Sequence, residues 1–357
     1  MSTSVKADTA TGPALLVGYG AFGAVHARAW ASLGREGALV IADSDAAARE
    51  AARRAHPAAR VVADWRVALA DVAMVDIAAP SDAHAAIALA ALDAGRDVFI
   101  EKPMAETAAD AEAVARRAAA SGRIVQVGYV LRVHPVAARL RDVVRRGGVG
   151  APVWIAAEFV SLKRPRRDCG VVRNDAIHFL DLIRWLVGRP PDDVSATLVE
   201  RLGRGFEDIA TITMRWEGGP VARLDASCLL PGDRVDPFVA GGFSRKRIAV
   251  TGDAGEAVAD FMDDTLGVRP CRMARGADGW WTPEYGTATV DPPAPLSPVG
   301  GVAGELRLFI DAVASRAAPD ADAASGVDMA RVIDAIFASA REGRRVPVAA
   351  AGGSWRR

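Results

Sequence analysis

The sequence is poor in cysteine and balanced in charge. Its three cysteines, Cys169, Cys228 and Cys271, lie far apart, and none belongs to a Cys-x-x-Cys pair. This pattern argues against a disulfide framework and against a zinc cluster, and it is typical of a reducing compartment. Because 44 basic residues balance 44 acidic ones, the chain has no net charge with which to attract nucleic acid or an anionic membrane.

Long apolar runs are also missing. No window of about 18 consecutive apolar residues could cross a bilayer, and residues 1–12 lack the apolar segment of a secretory signal. We therefore predict a cytoplasmic protein without a membrane or nucleic-acid partner, with residues 1–12 as a disordered tail. At 357 residues, 51% of them hydrophobic, the chain is long enough for two domains with substantial cores.

Lysine is scarce as well. Of the 44 basic residues only four are lysines, namely Lys6, Lys102, Lys163 and Lys246. Arginine stays protonated in proteins, whereas a desolvated lysine can release and take up a proton. Lys102 follows the apolar run 98–100 and precedes a proline, so we place it at the end of a buried strand. This position indicates a titratable amine, with a surface lysine retained by chance as an equal alternative.

A glycine-rich turn joins the first predicted strand to the first predicted helix. The apolar residues Ala14–Val17 lead into a G-x-G-x-x-G sequence, and a helical pattern follows as far as Leu33. Glycines at these positions allow a tight turn and let a pyrophosphate approach the backbone at a helix N-terminus. We predict a dinucleotide-binding turn made by Gly18, Tyr19, Gly20, Ala21, Phe22 and Gly23.

The second predicted strand, 38–42, ends in a carboxylate. Asp43 lies about 20 residues beyond the last glycine of the turn, where an acid can accept the hydroxyl groups of the adenosine ribose. Asp43 could instead cap the following helix, although Ser44 or Asp45 could serve for that. Because a carboxylate repels a 2′-phosphate, the sequence favours NAD over NADP, which stays possible. We include Ser44 with Asp43 in the predicted cofactor site.

Strands and helices go on alternating through the first half of the chain. Alternating units with short connections predict a parallel sheet covered on both faces, with ligands beyond the carboxyl ends of its strands. We therefore predict a doubly wound α/β domain of the Rossmann type over residues 13–131. Its cofactor edge is predicted to include residues that follow the later strands: Ala79, Pro80, His84, Glu101 and Lys102.

The pattern changes after about residue 132. Successive strand-like runs predict a mainly antiparallel sheet, and two helices close the chain. The segment 252–300 is rich in Gly, Pro and Asp and carries no assignable pattern. We assign residues 132–350 to a second α/β domain that binds substrate.

A largely apolar helix predicted over 174–188 interrupts these strands. Asn174 or Asp175 is its predicted cap, and Asn174, His178 and Asp181, at spacing i, i+4, i+7, share one face. The functional interpretation is a histidine that exchanges protons or binds substrate hydroxyls, oriented by acidic neighbours. The alternative is a hydrogen-bonded core histidine, with Asp181 in an ordinary ion pair along the helix.

Four motifs occur in a fixed order along the chain. They are Gly18-x-Gly20-x-x-Gly23, Glu101-Lys102-Pro103, Gly128-Tyr129-Val130-Leu131-Arg132-x-His134-Pro135 and His178-x-x-Asp181. Together with the chain end at 343–348, they resemble the Gfo/Idh/MocA oxidoreductases over nearly the whole length from about residue 13. The resemblance implies an N-terminal Rossmann domain, and a C-terminal α/β domain whose open, largely antiparallel sheet joins subunits into a homodimer or homotetramer.

The resemblance also implies an activity. Members mostly oxidise or reduce a carbinol carbon of a sugar, inositol or related polyol with NAD(H) or NADP(H). By that similarity Lys102 lies beside substrate and nicotinamide, its peptide bond to Pro103 is expected to be cis, and His178 transfers the proton. Many members have an aspartate four residues before this histidine, where the present chain has Asn174. Either Asp175 takes over the role of the polarising acid from spacing i, i+3, or that acid is absent from this chain.

Either Lys102 or His178 could exchange the proton. A free lysine has a pKa of about 10.4 and would have to reach roughly 7–8, whereas histidine starts near 6.5. We therefore prefer His178 as the proton shuttle and Lys102 as hydrogen-bond donor and charge stabiliser. We also predict that Arg132 and Asn174 bind substrate; Arg132 could recognise a phosphate or carboxylate, as could His134, or both could be ordinary structural groups.

Two other functions fit the same scaffold. One is a reductase of imines or conjugated carbonyl compounds, and the other is a dinucleotide-binding regulator without turnover. The regulator has no need of Lys102 and His178. A methyltransferase could use the glycine turn but would not explain Glu101-Lys102-Pro103.

Overall fold

The computed structural model describes residues 11–236 and 241–349. Most of the predicted tail over 1–12 therefore lies outside the described residues. The chain forms two compact units: residues 11–130 with Ser297–Ala330, and Leu131–Leu296 with the described residues from 331 onward. The sequence places the boundary after residue 131 and assigns Ser297–Ala330 to the second domain, whereas in the structure this segment joins the first unit.

The first unit contains a parallel sheet of six strands. Its order is β3-β2-β1-β4-β5-β6, and every pairing is parallel. The strands are β1 (Ala14–Val17), β2 (Leu39–Ala42), β3 (Arg60–Val62), β4 (Met74–Ile77), β5 (Asp97–Glu101) and β6 (Val125–Gly128). The direction of winding reverses between β1 and β4, which is the doubly wound order and confirms the predicted Rossmann architecture. Because all six strands run the same way, their carboxyl ends meet at one edge.

Helices connect most of these strands and continue into the rest of the chain. In chain order they are α1 (Gly23–Ser32), α2 (Ala46–Ala55), α3 (Ser81–Asp93), α4 (Ala108–Ser121), α5 (Pro135–Arg145), α6 (Ile177–Val187), α7 (Pro298–Ser315) and α8 (Ala323–Glu342). Within the described residues, none of them is both long and apolar enough for a membrane span.

Helix α7 completes the core of the first unit. Phe309 is fully buried with Trp30 of α1 and Phe99 of β5, and the rings of Phe99 and Phe309 lie 5.9 Å apart, edge to face. Fully burying one such side chain stabilises a fold by about 1.5–3 kcal/mol. This apolar contact explains why a segment from late in the chain belongs to the first unit.

The second unit is built on a larger sheet in the order β15-β14-β13-β12-β7-β10-β9-β8-β17. Only β7 and β10 run parallel within this order; the other pairings are antiparallel, as predicted. Two short strands lie off this path: β11 pairs with β12, and β16 pairs with β14. The strands are β7 (Pro152–Leu162), β8 (Asp193–Val199), β9 (Ile209–Arg215), β10 (Val221–Ser227), β11 (Arg234–Val235), β12 (Phe243–Gly252), β13 (Gly255–Asp260), β14 (Thr265–Arg275), β15 (Trp281–Tyr285), β16 (Thr289–Val290) and β17 (Val346–Pro347).

Four of these strands, β13 to β16, lie in the segment 252–300, to which no pattern was assigned from the sequence. For β15 the reason is visible, because all five of its residues are exposed. A strand without a buried face has no alternation of apolar and polar residues to reveal it.

Candidate active site

The glycine-rich turn lies between β1 and α1. Gly18 has φ +96°, and a Cβ on Gly23 would lie 2.1 Å from the carbonyl oxygen of Gly18, so neither position accepts another residue without rearrangement. A Cβ on Gly20 would meet none of the described atoms within 4 Å. Helix α1 starts without a side-chain cap. The turn is therefore open on one side and presents a helix N-terminus, which suits a pyrophosphate.

Asp43 follows β2 at the same edge and is tied to this turn. Its Oδ2 accepts a hydrogen bond from the backbone N–H of Tyr19 at 2.7 Å. The alternative that Asp43 caps α2 is wrong, because the cap is Asp45, whose carboxylate accepts the N–H groups of Ala47 and Ala48. Asp43 thus holds the turn through Tyr19, and its contact with a bound ribose stays a prediction.

Arg49, which no sequence motif marked, contacts the backbone at Asp43 and Ser44. Its Nη1 donates to the carbonyl oxygens of Asp43, at 3.0 Å, and Ser44, at 2.8 Å. A guanidinium there can accommodate a 2′-phosphate once the repelling carboxylate is gone.

We therefore expect Asp43→Ser to invert the cofactor preference. NAD affinity should fall about tenfold and NADP affinity should rise about tenfold, since tenfold corresponds to about 1.4 kcal/mol and one charge at about 4 Å is worth about 1–4 kcal/mol between bulk water and a protein surface. Fluorescence titration with both reduced cofactors measures this ratio. Asp43→Ser combined with Arg49→Gln should lose the gain in NADP affinity, and Asp45→Ala, which weakens only the cap of α2, should leave the ratio unchanged. An unaltered ratio in Asp43→Ser would contradict the assignment of Asp43.

Lys102 follows β5 at the same edge of the sheet. Its peptide bond to Pro103 is cis, which confirms the expectation from the family resemblance. The backbone N–H of Lys102 donates to Glu101 Oε2 at 3.1 Å, and the residue is half-buried. The predicted convergence of strand ends is confirmed: the residues after β1, β2, β4 and β5 all lie at the carboxyl edge.

His84 also belongs to this edge, in the first turn of α3. Its Nδ1 lies 2.8 Å from the carbonyl oxygen of Pro103, and its Nε2 lies 2.9 Å from that of Ala79. Both ring nitrogens are thus engaged with backbone that follows β4 and β5. A direct contact between His84 and the cofactor stays a prediction.

In the second unit, the predicted helix over 174–188 starts earlier and with a different geometry. Val172–Ala176 form a π-helical turn, and α6 begins only at Ile177. A π turn bonds residue i to residue i+5. The prediction that Asn174 and His178 share one face through α-helical spacing is therefore wrong. The predicted cap is wrong as well, because Ala176 precedes α6 and no side chain caps it. Single π turns are frequent at functional sites.

Asp175 is held by a lysine that the sequence analysis did not include in the site. Lys163 Nζ contacts Asp175 Oδ1, and the amide of Asn174 donates to the same oxygen at 2.9 Å. Both charged side chains are more than 90% buried, while Asp175 Oδ2 has no hydrogen-bond partner among the described residues. A small cleft lies here, lined by Lys163, Pro165, Arg166, Cys169, Gly170, Val171, Asn174, Asp175, Arg204 and Cys228.

Three titratable side chains lie around the ring of Phe159 in β7. The half-buried imidazole of His178 stacks on its ring, with centroids 5.7 Å apart and planes 13° apart. Lys246 Nζ lies 4.9 Å from the ring centre and 2.7 Å from Asp236 Oδ2. Lys163 Nζ lies 5.9 Å from the same ring. Burial lowers the pKa of Lys246 although Asp236 opposes this, as expected for a desolvated amine.

Arg132 forms a buried ion pair. Its Nε and Nη2 donate to the two carboxylate oxygens of Asp181 at 2.9 and 2.5 Å, with side-chain exposures of 4% and 1%. This bidentate pair, rather than a pair along the helix alone, satisfies Asp181. Substrate binding by Arg132 stays a prediction, but the guanidinium has a structural partner.

Removing Arg132 should be costly. We expect Arg132→Met to lower the free energy of unfolding by about 3–5 kcal/mol, because Asp181 would remain as an uncompensated buried charge. Chemical denaturation measures the loss. The double variant Arg132→Met with Asp181→Leu should recover most of it, and equal losses in the single and double variants would show that the pair is not the cause.

His134 does not supply a positive charge to the site. Its Nδ1 accepts the N–H of Val136 at the start of α5, and its Nε2 lies 3.2 Å from Asp264. Burial lowers the pKa of His134 to about 4, so the imidazole is neutral near pH 7. The alternative that it is an ordinary structural group fits this geometry, and phosphate recognition by its charge does not.

Comparison with known proteins also divides the chain into two parts. A family model described as an oxidoreductase family with an NAD-binding Rossmann fold matches residues 14–129. A second model, for the C-terminal α/β domain of that family, matches residues 157–348.

Relatives of known function include two dehydrogenases. UDP-N-acetylglucosamine 3-dehydrogenase of Acidithiobacillus ferrooxidans is 29% identical over 319 residues, covering 87% of this chain and 91% of that enzyme. Inositol 2-dehydrogenase of Acidothermus cellulolyticus is 31% identical over 201 residues, covering 54% of this chain and 59% of that enzyme. Levoglucosan dehydrogenase, solved with NADH and levoglucosan, has a TM-score of 0.80 at 22% identity over 94% of this chain and 99% of that one, which shows a shared fold.

Proposed function

Because the chain belongs to the Gfo/Idh/MocA oxidoreductase family, with its NAD-binding Rossmann domain, we propose that it is an NAD-dependent dehydrogenase of CH–OH groups in sugars, sugar derivatives or cyclitols. The names of the two dehydrogenases among its relatives support this substrate class. The observation that carries the proposal is the position of Lys102: a rare, half-buried amine at the sheet edge that also carries the glycine turn and Asp43.

The cofactor site is assigned to the carboxyl edge of the first unit. The turn from Gly18 to Gly23 would hold the pyrophosphate, and Asp43 with Ser44 would bind the adenosine ribose, so that NAD is preferred and NADP binds more weakly. Bound NAD supplies the hydride acceptor. The remaining cofactor contacts are assigned to residues after β4 and β5: Ala79, Pro80, His84, Glu101 and Lys102.

The catalytic roles are assigned to Lys102, His178 and Asp175. Lys102 donates a hydrogen bond to the reacting oxygen and stabilises negative charge on it, while His178 takes up the hydroxyl proton during oxidation and returns it during reduction. Asp175, fixed by Lys163, supplies the carboxylate that position 174 lacks. Arg132 and Asn174 are assigned to substrate binding.

We also infer a homodimer or homotetramer, a cytoplasmic location, and a division of labour between residues 13–131 for cofactor and 132–350 for substrate. Large apolar side chains exposed on strands of the second unit support association through its sheet. They include Val153, Trp154, Phe243, Met273 and Val290.

A substrate screen tests the proposed function. Purified protein would be assayed for NADH and NADPH absorbance in both directions against sugars, sugar phosphates, nucleotide sugars, inositols and amino sugars. Turnover of at least one CH–OH compound with NAD is expected. Cofactor binding without turnover across the panel would favour a regulator, and turnover of only imines or conjugated carbonyl compounds would favour the alternative reductase.

A further inference from the structure

A fully buried histidine lies next to the strands that form the cofactor edge. His26, in α1, is completely inaccessible to solvent. Its Nδ1 lies 2.9 and 3.0 Å from the two carboxylate oxygens of Asp76 in β4. Its Nε2 lies 3.3 Å from Glu101 Oε1 at the end of β5, an ion-pair distance without hydrogen-bond geometry. One imidazole therefore joins α1 to two adjacent strands of the sheet. His26 is not among the residues that the sequence motifs marked.

The surroundings of His26 favour a positive charge on its imidazole. Each ring nitrogen faces a carboxylate, and only a doubly protonated imidazole carries an N–H on both sides. Burial opposes the charge, but Asp76 and Glu101 outweigh it and raise the pKa of His26 to about 10. Trp30 Nε1 also donates to Asp76 Oδ2 at 2.8 Å. The cluster is thus a buried cation between two buried carboxylates.

Glu101 connects this cluster to Lys102. Its Oε1 faces His26, while its Oε2 accepts the backbone N–H of Lys102 at 3.1 Å. Gly128, on the neighbouring strand β6, leaves room for this carboxylate, because a Cβ there would lie 2.5 Å from Glu101 Oε1. Residues on both sides of Lys102 are held by buried imidazoles, since His84 contacts the carbonyl oxygen of Pro103.

We propose that His26 is a positioning residue for Lys102. Its cation fixes the Glu101 carboxylate, and the carboxylate fixes the backbone from which the Lys102 amine projects. His26 touches neither substrate nor cofactor in this assignment. The proposal rests on the proposed function, because the position of Lys102 matters to turnover only if Lys102 acts on the substrate.

The scarcity of lysine makes the effect directly observable. In protein labelled with ¹³C at the lysine ε-carbon, only four signals are expected, and Lys102→Met identifies that of Lys102. In His26→Gln we expect the Lys102 signal to shift or broaden while the signals of Lys163 and Lys246 stay in place. We also expect kcat to fall about 10- to 100-fold, as for a small misplacement of a catalytic group, with the Kd for NADH within about threefold of wild type.

Trp30→Phe is the matched control. It removes the hydrogen bond on the far side of Asp76 and should lower Tm without moving the Lys102 signal or kcat. Gly128→Ala is the second test. Its Cβ would lie too close to Glu101 Oε1 and displace the carboxylate while His26 stays intact, so the Lys102 signal should shift. An unmoved Lys102 signal in folded His26→Gln or Gly128→Ala overturns the proposal, as does an equal shift in Trp30→Phe. Because the NMR signal needs no substrate, absence of turnover in the wild type would refute the proposed function separately.

Discussion

Lys102→Met is expected to abolish most turnover while the protein keeps its cofactor. We expect kcat to fall about 10²- to 10³-fold, the usual cost of removing a donor that stabilises developing charge, because methionine fills similar space without the amine. The Kd for NADH should rise by no more than about threefold, because Lys102 supplies only one of the assigned cofactor contacts and the glycine turn and Asp43 are untouched. Steady-state kinetics and fluorescence titration give the two numbers independently.

Lys102→Arg distinguishes the two roles that Lys102 could have. Arginine keeps the positive charge and the donors but does not exchange its proton near neutral pH. If Lys102 stabilises charge, as we propose, the arginine variant should retain clearly more activity than the methionine variant. Equal losses would instead make Lys102 the proton-transfer residue. Near-normal turnover in Lys102→Met would remove it from the mechanism.

His178→Gln is expected to have the second large effect. Glutamine can still stack on Phe159 and form hydrogen bonds, but it cannot exchange a proton. We expect kcat to fall about 10²- to 10⁴-fold and the pH profile of kcat/KM to lose the limb at which an imidazole titrates. The pH profile is the decisive measurement, because a loss of packing alone would lower the rate without changing its shape.

His134→Asn is the matched control for this variant. It also removes a largely buried imidazole from the second unit, and asparagine preserves the cap of α5. Its pH profile should match that of the wild type. Should His178→Gln keep the wild-type profile, or His134→Asn lose the same limb, the assignment of His178 as proton shuttle would be wrong.

The first unit could be predicted from sequence more completely than the second. Its strands are apolar runs that end in Gly18, Asp43 and Lys102, and parallel alternation then places all these ends on one edge. The motifs are local in sequence, and the edge follows from topology alone. The position of helix α7 could not be predicted, because an amphipathic pattern does not show which of the two units the helix packs against.

The candidate site of the second unit depended on contacts that no local pattern contains. The π turn lengthens the hydrogen-bonded repeat before His178 from four residues to five, and nothing in the sequence marks this change. The pairing of Lys163 with Asp175 joins a strand end to that turn. A signal did exist, because Lys163 and Lys246 are two of only four lysines in this arginine-rich chain. A scarce lysine is as informative at those positions as at 102.

The contact between α7 and the parallel sheet determines when the first unit can fold during synthesis. Phe309 and its neighbours cover Trp30 and Phe99, so the cofactor-binding half lacks part of its core until the ribosome has released residues beyond 315. Residues up to about 315 must therefore be synthesised before that half can close. A fragment ending near residue 131 would leave this apolar face uncovered and prone to aggregate.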